Sequence, residues 1–356
     1  MDCVPSAYCA MDEQELRQRI ERRKRELGGR LRILGHHYQR QEIIDYADYR
    51  GDSFGLCRQA TRDRECAFIV FCGVRFMAES ADILAAPGQV VQHPDPEAGC
   101  PLASMADIHA VRAAWDAVES ICGRGNVLPL TYMNSEAALK AFCGERGGAV
   151  CTSSNAGTAF RWALSQRRFV FFFPDENLGR NTARMVGLTA DDLFVWDPSR
   201  PPEGGSACDA LRRAKVILWP GFCHVHTHFR ARHVLEARRK APDASIVVHP
   251  ECDEEVVRLS DACGSTEFIC RFVEDAPSGS TIYVGTEINL VSRLARENPD
   301  KHVRELARSL CPNMYRIDLP KLLWTLEDLG GVNRVTVDLQ VKEGARTALE
   351  RMLALS

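Results

Sequence analysis

Short runs rich in Val, Ile and Phe recur along the chain, each a few residues long and each closed by polar or small residues. They are Leu31 to Leu34, Phe68 to Phe71, Val127 to Leu130, Val170 to Phe173, Val216 to Trp219, Ile246 to Val248 and Thr281 to Val284. A strand that is apolar on both sides must be covered on both faces, which is the pattern of a buried parallel sheet. Amphipathic segments lie between the runs; in Phe76 to Ala85, Met77, Ala81 and Leu84 share one helical face. Strands alternating with helices predict an α/β fold with parallel sheets covered on both sides.

The residues that close the runs fall into three groups: GHHYQ, FCGVRF and QHPDPEAGC; then TYMNS, CTSSNAG and FFPDENLG; then GFCHVH, HPEC and VGTE. The grouping suggests three small α/β units of similar build without a fixed repeat period. Ligands of open α/β sheets bind beyond the carboxyl ends of the strands, so a site is expected among these closing residues. Pro and Gly punctuate Asp197 to Ser206, which marks a loop and a unit boundary. Leu319 to Leu355 reads as a helix, a short strand at Val335 to Val337 and a closing helix with Arg346, Glu350 and Arg351 on its outer face. The expected domains are 1–110 with an N-terminal extension, 111–205 and 206–289, with 290–356 packing back on the first.

A formal net charge of -3 offers no general attraction for nucleic acid or an anionic membrane, leaving small molecules as the expected partners. The dense basic run Arg22-Arg23-Lys24-Arg25 lies among Glu15, Glu21 and Glu26, with Leu16, Ile20 and Leu27 at helical intervals; this is a solvated helix face. No apolar stretch reaches the roughly 20 residues needed to span a bilayer, and the first ten residues lack a signal-peptide pattern. A cytoplasmic location is expected. The 15 cysteines are odd in number and widely scattered, which argues against a disulfide framework and for a ligand role for some of them.

Reactive polar residues directly follow the apolar runs: His36, His37 and Tyr38; Tyr132 and Asn134; Ser153 and Ser154; Cys223, His224 and His226; His249, Glu251 and Cys252. One such histidine is an ordinary loop residue, but five such strand ends together point to catalysis. Cys66, Cys72, Cys143 and Cys270 sit in apolar surroundings, where cysteine packs as a small hydrophobe. Cys100, Cys223 and Cys311 each lie in a Gly or Pro turn, and Cys252 in His-Pro-Glu-Cys is a fourth ligand candidate.

The motifs GHHYQ, GDS, GVRFMAES, TYMNS, CTSSNA, FPDENLG, GFCHVH, HPEC, GST, VGTE and CPNM stand in the order found in quinolinate synthases. From Leu31 to Leu353 the chain resembles that family. The resemblance implies three pseudo-symmetric three-layer α/β/α domains around a central 4Fe-4S cluster, held by Cys100, Cys223 and Cys311 with one iron left open as a Lewis acid. It also implies the condensation of iminoaspartate with dihydroxyacetone phosphate to quinolinate, with an L-aspartate oxidase supplying the iminoaspartate. By motif match, His36, Ser53, Tyr132, Asn134, Ser153, His249 and Thr266 bind substrate. Gly264-Ser265-Thr266 offers amides and hydroxyls to an anion, and Tyr38, Glu251 and His226 are the catalytic candidates. His37 occupies a position often filled by another residue in the family's His-x-Tyr-Gln motif, and the Pro/Gly loop at 198–206 is an insertion.

Three other readings use the same residues. An iron–sulfur hydro-lyase of the aconitase kind would also use three cysteines and an open iron. An iron–sulfur sensor would have no use for the HPEC and TYMNS constellations. A zinc enzyme built from His and Cys would be colourless.

Overall fold

The computed structural model describes residues 4–201 and 205–355. Cys3 and the 202–204 part of the expected boundary loop lie outside the described residues. The first sheet contains β1 (Leu31–His36), β2 (Tyr49–Gly51), β3 (Phe68–Cys72) and β4 (Val90–Gln92), in the order β2-β1-β3-β4. The second contains β5 (Val127–Tyr132), β6 (Ala149–Cys151), β7 (Phe169–Phe173), β8 (Leu193–Val195) and β9 (Val216–Leu218), in the order β6-β5-β7-β9-β8. The third contains β10 (Ser245–Val248), β11 (Ala262–Cys263), β12 (Thr281–Gly285) and β13 (His302–Glu305), in the order β11-β10-β12-β13. Every pairing within the three sheets is parallel. The same topology therefore occurs three times, with β8 as an added edge in the middle sheet, and the α/β class expected from the sequence is the one found.

All seven apolar runs are strands, and all seven lie inside their sheets. The strands without such a run are β2, β4, β6, β8, β11 and β13, and these are the six sheet edges. An edge strand has one open flank and needs no continuous apolar run; Tyr49 and Arg50 of β2 and His302 and Arg304 of β13 are exposed. Interior strands show the opposite, as in β5 and β7, where every residue is buried.

Sheet membership crosses the expected segment limits. The Pro/Gly loop begins after β8 and precedes β9, both of the second sheet, so this sheet runs past 205; β13 carries the third sheet past 289. The loop interrupts the chain within one sheet, a distinction that local punctuation does not carry.

The basic run lies in the helix Glu13–Leu27, capped by the Asp12 side chain on the Glu15 N–H. Its Leu16 and Ile20 pack against Leu319, Leu322, Leu323 and Leu326 of the helix Leu319–Glu327, which covers the back of the first sheet. Val335 to Val337 form no strand; the segment meets the first sheet through one antiparallel bridge between Arg334 and Gln92 and a 2.8 Å bond from the Val335 N–H to the Val91 carbonyl. The closing helix Leu339–Ala354 instead docks on the second unit. Asn155 Nδ2 donates to the Met352 carbonyl at 3.2 Å, and Arg351, expected on the outer face, donates to the Gly148 carbonyl. The end of the chain thus ties two units together.

That docking brings backbone against backbone, because a Cβ on Gly144 of the helix Ala137–Glu145 would run into the Gly344 carbonyl. Overpacking of this kind costs about 1–3 kcal/mol. Gly144→Ala is expected to lower the thermal midpoint; an unchanged midpoint would mean that the two helices do not dock this closely.

Candidate active site

The carboxyl ends of the strands in all three sheets meet at one cavity of about 610 Å³. The first strand of each sheet supplies two lining residues spaced two apart: His36 and Tyr38 from β1, Tyr132 and Asn134 from β5, His249 and Glu251 from β10. The edge beside it supplies Asp52 and Ser53 after β2, Thr152 and Ser153 after β6, and Thr266 after β11. The loop after the fourth common strand supplies one cysteine: Cys100 after β4, Cys223 after β9 and Cys311 after β13. Strand periodicity explains the spacing, since alternate residues at a strand end share a direction.

Two of the pairs are built the same way. The Tyr38 N–H donates to His36 Nδ1 at 3.2 Å, and the Glu251 N–H donates to His249 Nδ1 at 3.3 Å. An imidazole that accepts at Nδ1 carries its single proton on Nε2 when neutral. Burial, aided by His37 for His36 and by His226 for His249, holds both rings well below the usual histidine range. Both rings therefore offer an Nε2–H donor, and His249 Nε2 lies 3.3 Å from Ser153 Oγ.

His226 joins the other two groups. Its Nε2 is 3.4 Å from Tyr38 Oη and 3.7 Å from Glu251 Oε2, and its ring stacks on His249 with centroids 4.3 Å apart. Burial pushes its pKa down to about 3, so the ring is neutral. Tyr132 donates its hydroxyl to Glu251, and Tyr38 Oη is 2.7 Å from Thr286 Oγ1. Burial raises Glu251, and burial together with the Glu251 charge raises Asp175, which caps the helix Glu176–Met185 at the Leu178 N–H.

Burial pushes the Cys100 thiol up to about 12 and raises Cys223 and Cys311; none of the three is in a disulfide. Among the described residues, the group whose ligand atoms all approach within 4.8 Å is Cys223, His226 and Glu251. The three thiol sulfurs do not all lie within 4.8 Å of one another, whereas sulfurs on one tetrahedral ion lie about 3.8 Å apart. Among the described residues the cavity wall contains neither Lys nor Arg, while the helices Ser53–Arg62 and Thr266–Glu274 begin at it and turn their positive ends toward it.

Ser265, the remaining expected binding residue, is not on the wall; its hydroxyl accepts the Phe268 N–H at 3.2 Å and caps the helix Thr266–Glu274. Ser154 donates to Asp52 Oδ2 at 2.5 Å, Cys252 is buried away from the wall, and His224 is exposed. Asp52, Thr152, Phe76 and Met314 line the cavity without having been singled out in the sequence. Glu287, which receives the Asn289 N–H at 2.7 Å, was missed as well. Thr286, Glu287 and Asp175 stand in VGTE and FPDENLG, directly after third strands, so the strand-end rule had the means to find them.

Three open parallel sheets with polar strand ends on one buried cavity define an α/β enzyme with its site at the sheet junction. The quinolinate synthetase A protein family (NadA) matches residues 18–354. A quinolinate synthase of Anoxybacillus flavithermus is 48% identical over 361 residues, covering 99% of this chain and 97% of its own. One of Nocardioides sp. is 51% identical, covering 95% and 89%, and one of Corynebacterium glutamicum is 46% identical, covering 99% and 90%. The chain belongs to this family of quinolinate synthases, enzymes of NAD biosynthesis. No helix among the described residues is long and apolar enough to cross a membrane.

Because their folded-state pKa values are depressed, His36 and His249 are expected to stay neutral as the pH falls through 6.5, where a free histidine is half protonated. Nitrogen-15 spectra of the rings should show Nε2–H tautomers at pH 6; doubly protonated rings there would contradict the assignment.

Proposed function

We propose that the chain condenses iminoaspartate with dihydroxyacetone phosphate to quinolinate, phosphate and two waters, a balance that needs no oxidant. The observation that carries this is the meeting of three polar strand-end pairs and one cysteine loop from each sheet in a single cavity. The same repetition supports a three-domain division in which each domain contributes one pair and one cysteine. Cys100, Cys223 and Cys311 would hold a 4Fe-4S cluster, and the donor set suits it: three thiols outside any disulfide on the wall of one cavity, whose sulfurs do not all lie within 4.8 Å of one another. When bound, such a cluster supplies a Lewis acid at the iron that no cysteine holds.

Both substrates are anions, and the protein side of the cavity meets them with directed neutral donors. His36 and His249 offer Nε2–H groups, and Ser53, Tyr132, Asn134, Ser153 and Thr266 add hydroxyls and an amide. Ser265 serves by ordering the helix that carries Thr266. Carbon–carbon joining, ketose isomerisation and ring closure all shift protons between carbon, oxygen and nitrogen. Glu251 faces the cavity between Tyr132 and His226, and Tyr38 faces it between His226 and Thr286, so these groups form two short paths for a proton. An imine hydrolyses in water, which favours direct supply from an L-aspartate oxidase. A cluster with an open iron also suits the reducing cytoplasm.

One observation favours a second reading: Cys223, His226 and Glu251 stand at the spacing of a single zinc site. Anaerobic purification separates the two. About four irons per chain, a brown colour and quinolinate formed from in situ iminoaspartate and dihydroxyacetone phosphate support the proposal; a colourless zinc protein contradicts it. Changing Cys100, Cys223 or Cys311 singly to Ser should abolish the cluster and activity, while Cys252→Ser keeps the iron; full iron in all three site variants would overturn the ligand assignment. Glu251→Gln should keep the iron and lose at least about 100-fold in kcat, and near-normal turnover would remove Glu251 from proton transfer.

A further inference from the structure

The strand-end pairs are gripped from neighbouring units, and the gripping residues occupy equivalent positions. Eight residues beyond the third strand of each sheet, from 72 to 80, 173 to 181 and 285 to 293, stand Ser80, Asn181 and Arg293. Each lies on the helix after that strand, and each is buried. Arg293 Nη2 donates to the His37 carbonyl at 2.9 Å and to His37 Nδ1 at 3.1 Å. Asn181 Nδ2 donates to the Pro250 and Cys252 carbonyls, both at 2.8 Å. Ser80 Oγ is 3.4 Å from Met133 Sδ.

His37, Pro250 and Met133 are the middle residues of the three pairs. The contacts therefore close a ring: a third-unit helix grips the pair of the first unit, a second-unit helix grips the pair of the third, and a first-unit helix touches the pair of the second. In the second unit the contact is weak, and Lys140 of the same unit supports that loop with a 2.5 Å bond to the Ser135 carbonyl.

We infer that Asn181 and Arg293 are positioning residues of the active site, Asn181 fixing the carbonyls of the residues on either side of Glu251 and Arg293 the carbonyl of His37, between His36 and Tyr38. The inference rests on the function proposed above. Neither residue lines the cavity, so each acts through the pair it holds. Each also leaves a buried polar end without a protein partner, Asn181 Oδ1 and Arg293 Nη1. Such ends cost stability, so apolar replacements of similar length remove a cost along with a contact. Loss of aim at a reacting group is a different matter, since a displacement of about 1 Å can cost on the order of 100-fold in rate.

The test compares the wild-type holoenzyme with Asn181→Leu, Arg293→Met and Arg293→Lys for iron content, thermal midpoint, KM, kcat and calorimetric quinolinate binding. The expected result is a fall in kcat of about 100-fold for the Leu and Met variants, with iron and midpoint held near wild type. Arg293→Lys, which keeps a donor for the His37 carbonyl, recovers part of the loss. In a Glu251→Gln background, Asn181→Leu should add little further loss, because both changes disable the same group. Wild-type kcat in both single variants, equal fold losses in the two backgrounds, or losses that follow falling iron and midpoint would each overturn the inference. A wild-type chain that forms no quinolinate overturns the proposed function and takes the inference with it.

Discussion

Parallel pairing is the constraint from which the rest follows. Strands that run in one direction deliver their last residues to the same edge of a sheet, where the backbone is free of the ladder and side chains can face a ligand. This chain does so three times with one topology, and the three edges share one cavity. Each sheet then needs to supply only a pair of polar residues, a residue or two from the neighbouring edge and one cysteine loop. No unit holds the whole site, so assembly of the units and assembly of the site are the same event.

A second consequence is electrical. The cavity holds neutral imidazoles, a carboxylate held between Tyr132 and His226, and thiols raised by burial, with no Lys or Arg among the described residues of its wall. Directed N–H and O–H donors and the positive ends of two helices are therefore what the wall offers to an anion. Buried polar groups of this kind are expensive unless paired, and the pairing here reaches across units: Tyr38 to Thr286, Tyr132 to Glu251, Ser154 to Asp52. The same bonds that satisfy the site hold the units together.

Much of this was legible in the sequence because interior parallel strands advertise themselves. Seven apolar runs marked seven interior strands, and the polar residues after them marked the wall from His36 to Glu251, whereas Ser53 and Thr266, which follow edges, stood out only through the family's motifs. The six edge strands stayed hidden, since two to four residues with one open flank need no apolar run. Asp52 and Thr152 follow the edges β2 and β6 directly before Ser53 and Ser153, and nothing in the local sequence separates them from these neighbours. Asn181 and Arg293 lie within helices and become recognisable only when the three sheets are superposed in topology. A Pro/Gly loop between β8 and β9, inside one sheet, looks the same from the sequence as a loop between domains.

The central claim is that one cysteine loop from each sheet closes on a shared iron centre. Anomalous scattering at the iron edge, recorded from anaerobically grown crystals of the brown protein, tests it most directly. The account predicts a compact group of iron atoms bonded to the sulfurs of Cys100, Cys223 and Cys311. A single metal bonded to Cys223, His226 and Glu251, with Cys100 and Cys311 free of it, would contradict it.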